Sequence, residues 1–263
     1  MSKTLKVIQF TDTHLYEDSS HRMRGVDTYV TFKQTVELAL ATEGTPDFIL
    51  LTGDVSMDES AASYERVREI IEPMNVPIYF LPGNHDCFET MKWAFKKGSQ
   101  SNIRHDRSFV ADKWLFVLLD SVLSEKVEGW LSDEELTRLD DALTQHAGLN
   151  ALVCLHHNAI PIAKIPEEDK GLQNAGAFFR VIDKHKNVRG VLWGHVHGKY
   201  ETSRNGVPLY ATPSTCIQFA VEDQGVSIAA LPPGYRVLSF GADGSINTRV
   251  NWLDKLPEGL QVG

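Results

Sequence analysis

What most limits the fold of this chain is a repeated arrangement. Short apolar runs break off into glycine, aspartate, asparagine or histidine, and a helical pattern follows. "KVIQF" precedes "TYVTFKQTVELALA", "DFILLT" precedes "SYERVREII", and "VPIYFL" precedes "FETMKWAFKK". Continuous apolar runs of this length fit strands buried on both faces, and the intervening helices fit crossovers of a mainly parallel sheet. "WLFVLLD" reads as another strand. Ser132 and Glu135 then form a capping box opening the helix "DEELTRLDDALTQH", which Gly148 closes. "ALVCL" and "VRGVLWG" continue the alternation around the helical "NAGAFFRVIDKH". In the last quarter Asn205-Gly206 lies between two alternating runs, a strong hairpin signal, and "GADGS" separates "YRVLSF" from "INTRVNW". The C-terminal part is therefore expected to be antiparallel. The whole is an α/β fold with sheet on sheet and helices outside. No repeat or linker divides it, so residues 1–263 read as one domain.

Metal-capable side chains recur where the strands end. Asp12 and His14 follow "KVIQFT", and Asp54 follows "FILLTG". Asn84, His85 and Asp86 follow "IYFLPG", His156 and His157 follow "ALVCL", and His195 and His197 follow "VLWG". In an α/β sheet the carboxyl ends of parallel strands share one edge, where ligand crevices form, so distant positions can meet there. Singly, each has a plain structural reading. Asp-x-His can be an Asx turn or a helix cap, Gly-Asp a turn, and His156-His157 one core histidine beside one exposed one. Taken together and in this order, they read as a site.

Asp12, Asp54, His14, His156, His195, His197 and Asn84 offer two carboxylates, four imidazoles and a carboxamide, with no thiolate. That set suits borderline divalent ions rather than calcium. Seven side chains exceed the needs of one ion; if one carboxylate bridges, they divide into two sets of four, with ions about 3.5 to 4 Å apart. Two such ions carry +4 against -2 from the aspartates and about -1 from a bridging hydroxide, leaving a positive pocket suited to phosphate esters. The chain itself has net charge -9, which argues against nucleic-acid polymers held on a broad basic surface. A small anionic phosphodiester is the expected partner. Cys87, Cys154 and Cys216 lack C-x-x-C spacing and read as reduced thiols beside apolar runs, Cys87 as a buried one. The longest apolar run, Trp114 to Leu119, is too short to span a bilayer. "MSKTLKVIQF" has no signal-like apolar region, so the expectation is a cytoplasmic protein with no membrane association. A homo-oligomer is compatible with the sequence.

D-x-H, G-D, G-N-H-D, H and G-H-x-H, in this order from Asp12 to His197, resemble the motifs of the calcineurin-like metallophosphoesterase superfamily. The resemblance implies a four-layer α/β/β/α metallophosphoesterase sandwich with a dinuclear site at the sheet edge. It assigns one ion to Asp12, His14, Asp54 and His197. The other goes to Asp54, Asn84, His156 and His195, with Asp54 bridging. Iron or manganese are the first expectations, then cobalt or zinc. His85 would lie beside the metals as the catalytic residue. It would touch the phosphate together with Asn84 and donate to the leaving alkoxide while a metal-bridging hydroxide attacks phosphorus. Asp86 would be either a partner of His85 or a turn residue.

"QFTDTHL", "LTGDVSMDESAASY", "FLPGNHDCFETM", "LHHNAIP", "LQNAG" and "ATPSTCIQF" are further similar to the class III cyclic nucleotide phosphodiesterases, above all bacterial 3′,5′-cyclic AMP phosphodiesterases. This implies hydrolysis of the 3′ ester to give a 5′-nucleotide. The alternatives are other small diesters, such as glycerophosphodiesters or 2′,3′-cyclic nucleotides, and, more remotely, a scaffold that keeps the fold without chemistry. "GDVSMDES" departs from the G-D-x-x-D-R-G of the protein phosphatases, which disfavours that subfamily. His156-His157-Asn158 departs from the relatives' usual pattern, leaving His157 and Asn158 without an assigned role. Arg22 or Arg24 could reach a phosphate or base, or simply be solvated.

Overall fold

In the computed structural model, which describes residues 4–96, 102–162, 170–222 and 225–262, each apolar run forms a strand whose alternate side chains serve two different cores. Strand β1 (Leu5–Phe10) turns Leu5 and Val7 one way and Ile8 and Phe10 the other. Strand β2 (Phe48–Thr52) does the same with Phe48 and Leu50 against Ile49 and Leu51. Strand period two thus resolves runs in which every residue is apolar.

Beside these lie β3 (Ile78–Leu81) and the short β4 (Ile103–Arg104). The C-terminal strands β13 (Gly234–Phe240) and β14 (Ile246–Trp252) complete a six-stranded sheet in the order β14-β13-β1-β2-β3-β4. β1 to β4 are parallel and β13 is antiparallel to β1. Helices α1 (Thr28–Glu43), α2 (Ala61–Ile71) and α3 (Phe88–Lys96) cover its outer face. The Asp27 and Ser60 side chains cap the first two by accepting from Val30 N and Ser63 N.

The second sheet has the order β5-β6-β7-β8-β10-β9. It is built from β5 (Ser108–Ala111), β6 (Trp114–Leu118), β7 (Asn150–Cys154), β8 (Val188–Trp193), β9 (Tyr200–Arg204) and β10 (Val207–Ala211). Helices α4 (Asp133–Gln145) and α5 (Ala175–Ile182) pack on its outer face. The inner faces of the two sheets meet through Phe48, Leu50, Trp114, Phe116, Leu152 and Phe240. Phe116 packs edge-on against Phe48 and Phe240, with centroids 4.9 and 5.2 Å away. Each such side chain contributes roughly 1.5–3 kcal/mol on burial. The layers are helix, sheet, sheet, helix.

Asn205 and Gly206 both have positive φ and join β9 to β10 with Arg204 opposite Val207, the two-residue hairpin expected from Asn-Gly. Three readings need correction. The helix opened by Ser132 ends at Gln145 with His146 as its cap, short of Gly148, because the His146 N–H and ring close the last turn on the Ala142 carbonyl. Glu135 receives the Ser132 cap but turns its own carboxylate to Asp120 N and Arg138, so the reciprocal half of a capping box is not made. Cys87 is half-buried rather than buried; Cys154 and Cys216 are buried, and all three are free. β4, β5 and the isolated hairpin of β11 (Gln218–Glu222) and β12 (Gly225–Ala229) were not evident in the sequence. No helix among the described residues is long and apolar enough to cross a membrane.

Candidate metal centre

The carboxyl ends of β1, β2 and β3 face those of β7 and β8 across the sandwich, and all the metal-capable positions meet there. Asp12 N donates to Gly53 O at 3.0 Å and His14 N to Asp54 O at 3.0 Å, which zips the loops after β1 and β2 together. Gly194 N donates to His156 O at 3.1 Å between the loops after β7 and β8, and His195 N joins the second sheet to the first by reaching Asp12 Oδ2 at 3.1 Å.

Five of these residues are held in the left-handed region: Asp12 at φ 55°, His14 at 47°, Asp54 at 48°, His195 at 64° and His197 at 41°. Aspartate adopts this conformation more readily than most residues, and histidine follows it, but it is costly, about 1–3 kcal/mol each. Its concentration in five polar residues at three strand ends, those of β1, β2 and β8, marks a functional site. Two glycines let the carboxylates in. A Cβ on Gly83 would lie 2.2 Å from Asp54 Oδ1, and one on Gly194 would lie 2.6 Å from Asp12 Oδ2.

Three groupings bring ligand atoms within 4.8 Å of one another: Asp12, His14 and His197; His14, Asp54 and His85; Asp54, His156 and His195. Asp54 takes part in two of them. His14 Nε2 is 3.0 Å from His197 Nε2 and 3.6 Å from Asp54 Oδ2, and His197 Nε2 is 3.3 Å from Asp12 Oδ1. Asn84 lies in the same loop as His85, whose N–H donates to Asp54 Oδ1 at 2.9 Å. The His85 ring, half-buried, meets His14 edge-on at 5.2 Å.

Backbone carbonyls fix the ligand rings from behind. Thr52 O lies 2.9 Å from His156 Nδ1, Ile217 O 2.9 Å from His197 Nδ1, and Lys170 O 3.1 Å from His195 Nε2. Each contact selects the tautomer that leaves the other nitrogen as a donor. Burial disfavours charge on His14 and His195 and lowers them to about 3 and about 4, so both are neutral imidazoles. Burial also opposes the charges of Asp12 and Asp54. The imidazoles of His197 and His156 outweigh it for Asp12, and those of His156 and His14 hold Asp54 well below the usual carboxylate range. Burial opposes charge on His156 too, but Asp54 and Asp12 prevail and push it up to about 9. A cation placed between Asp54 and His156 therefore displaces a proton.

Two buried atoms fit the donors of a metal site. Asn84 Oδ1 has no hydrogen-bond partner, and His156 Nε2, although 3.3 Å from Asp54 Oδ2, lacks the alignment of a hydrogen bond. With two carboxylates held ionised, His14 and His195 neutral and His156 able to yield its proton to a cation, the donor set fits divalent ions.

Other positions are structural. Asp86 does not partner His85: its carboxylate accepts from Gly83 N, Val55 N, Ser56 N and the Tyr64 hydroxyl and clamps the loops after β2 and β3 together. His157 is fully buried, with its nitrogens on Ser121 Oγ and Val127 O. The Asn174 side chain bonds Leu131 N and O, and Arg22 pairs with Asp27 at 3.0 Å. Unforeseen was the loop after β10, where Ser214 Oγ donates to Asp12 O at 2.7 Å. Its small polar residues after a strand were the available signal.

Oxygen and nitrogen donors gathered where strand ends of two facing sheets meet are the arrangement of a metal-dependent hydrolase. The chain matches the calcineurin-like phosphoesterase family over residues 5–199, and it belongs to that family. It is 33% identical to the 3′,5′-cyclic adenosine monophosphate phosphodiesterase CpdA of Vibrio vulnificus, over 95% of this chain and 90% of the relative. It is 32% identical to a 3′,5′-cyclic-nucleotide phosphodiesterase of a Nostoc species, over 98% and 95%. A dimetal phosphatase from Danio rerio has a similar fold, with a TM-score of 0.65 at 13% identity over 94% of this chain and 98% of that one.

Proposed function

We propose that this metal-dependent phosphodiesterase hydrolyses 3′,5′-cyclic nucleotides, cyclic AMP foremost, to 5′-nucleotides. One observation carries the reading. Side chains from five strand-end loops gather in three overlapping clusters in a chain that matches, over nearly its whole length, relatives named as cyclic nucleotide phosphodiesterases. Asp12, His14, Asp54 and His197 would hold one divalent ion, and Asp54, Asn84, His156 and His195 the other. Iron or manganese come first, then cobalt or zinc. When bound, the ion pair polarises the phosphoryl oxygens and lowers the pKa of a water toward about 7.

The chain's own residues supply the rest. Asp12 and Asp54 return only two negative charges against the two divalent ions, so the pocket keeps a positive balance that draws an anionic diester into an acidic protein. Asn84 and His85 contact the phosphate. His85 is anchored through its N–H to Asp54, with its ring half-buried beside His14. From there it donates a proton to the departing 3′ alkoxide.

The test is a diester panel on apo-protein reconstituted separately with manganese, iron, cobalt and zinc. Cyclic AMP, cyclic GMP, 2′,3′-cyclic nucleotides, glycerophosphocholine and an aryl diester are compared by kcat/KM. The expected result is the highest value for cyclic AMP. Activity confined to the non-cyclic diesters overturns the reading.

A further inference from the structure

We infer that Gln9, Thr212 and Arg236 form a hydrogen-bonded brace between the two sheets that sets the spacing of the two halves of the metal centre. This rests on the metal centre proposed above and deepens it by naming positioning residues outside the ligand set.

Four of the proposed ligands, Asp12, His14, Asp54 and Asn84, follow strands of the first sheet. His156, His195 and His197 follow strands of the second. A binuclear site tolerates errors of only about 0.2 Å in its ligand distances, so something must fix one sheet against the other. The inter-sheet core cannot do this alone, because apolar contact is non-directional and allows facing layers to slide.

The inner faces change character just below the site. On β1, Leu5 and Val7 give way to Gln9; on β2, Phe48 and Leu50 give way to Thr52; on β13, Phe240 and Leu238 give way to Arg236. Gln9 and Arg236 are cross-strand neighbours. All three polar side chains, with Thr212, are fully buried.

Their bonds reach the second sheet. Thr212 Oγ1 donates to Gln9 Oε1 and accepts from Arg236 Nε at 3.0 Å. Gln9 Nε2 donates to Thr52 Oγ1 at 2.8 Å and to Trp193 O at 3.4 Å. Arg236 Nη2 donates to Ala211 O at 2.8 Å, and Nη1 to Glu201 Oε1 at 3.0 Å and Thr248 Oγ1 at 3.1 Å.

Each end of the brace abuts a ligand. Thr52 O holds the His156 ring, Trp193 precedes Gly194-His195, and Thr212 opens the loop whose Ser214 holds Asp12 O. Buried, satisfied hydrogen bonds are directional where apolar contacts are not, and a network of them specifies one arrangement.

Thr212→Val removes the shared hydroxyl at nearly constant volume, and Thr212→Ser restores it. Leu152→Ala, in the apolar layer between the same sheets and paired with Phe116 and Gly190, is a control that lowers stability without touching the brace. Mn²⁺ binding to each apo-protein is measured by titration calorimetry alongside its Tm. The expected result is a 10- to 100-fold loss of affinity for at least one ion in Thr212→Val, the range for removing supports behind metal ligands. Thr212→Ser should stay near the parent, and Leu152→Ala should keep its affinity at reduced Tm. Should Thr212→Val fold poorly, Gln9→Met must reproduce the loss. Two ions bound by Thr212→Val or Gln9→Met with parental affinity overturns the brace, as does an equal loss in Leu152→Ala or Thr212→Ser. A parent chain that binds no Mn²⁺ overturns the metal centre itself, a different outcome.

Discussion

Asp86→Asn tests how the loop carrying Asn84 and His85 is held. The Asp86 carboxylate faces only donors: Gly83 N at 2.9 Å, Val55 N at 3.1 Å, Ser56 N at 3.0 Å and the Tyr64 hydroxyl at 3.1 Å. Burial and the nearby Asp54 carboxylate push the Asp86 carboxyl up to about 7, while the Gly83, Ser56 and Val55 N–H groups pull it down. With Asp54 neutralised by bound cations the donors prevail, so the assay uses Mn²⁺-loaded protein at about pH 8, above the raised value. In the asparagine variant an NH₂ group replaces the oxygen that accepts from Gly83 N. One hydrogen bond is lost and a buried donor is left unpaired, and turning the amide over moves the conflict to Ser56 N and Tyr64. The cost is about 2–3 kcal/mol. At about 2–4 °C per kcal/mol for a chain of this size, Tm falls by about 5–10 °C. Differential scanning calorimetry measures it. A variant melting within about 1 °C of the parent would mean that Asp86 is a neutral acid there, and the clamp as described would be wrong.

His85→Ala keeps the N–H that holds Asp54, so calorimetric metal stoichiometry should be unchanged while kcat falls about 10²- to 10⁴-fold; lost metal would instead make His85 a ligand, as its place beside His14 and Asp54 allows. Gly194→Ala sets a Cβ 2.1 Å from Thr11 Oγ1 and 2.6 Å from Asp12 Oδ2, so metal content by plasma emission should drop and stability fall by about 1–3 kcal/mol. Chelation should lower Tm, because the ions offset five left-handed residues; equal melting of apo and loaded protein would speak against the centre. His156, raised from 6.5 to about 9, stabilises the apo-protein below about pH 6.5 and loses that contribution as pH rises through 9. Metal binding near pH 7.5 should therefore release a proton, visible as a buffer-dependent heat.

The candidate donor positions were legible because their chemistry is local. Metal donors must be Asp, His or Asn, and a parallel sheet sends each strand end to one edge, so Asp12, Asp54 and His197 could be read from residue type and place. Asp86 and His157 were not: both are polar and next to ligands, and only their packing shows that Gly83, Ser56 and Tyr64 occupy one while Ser121 and Val127 occupy the other. The Thr212 to Cys216 loop showed only small polar residues after a strand, since the contact of a serine hydroxyl with a carbonyl 202 positions away leaves no sequence signature.

By itself, then, the sequence determined the strand and helix rhythm, the Asn205-Gly206 hairpin and the inventory of donors, because those follow from backbone preference and side-chain chemistry over a few residues. Tertiary structure alone decided which polar neighbours gather and which are supports, the left-handed backbone of five residues at three strand ends, and the polar layer of Gln9, Thr212 and Arg236. Those depend on which buried donor finds which acceptor across two sheets, and that pairing exists only once the sheets have met.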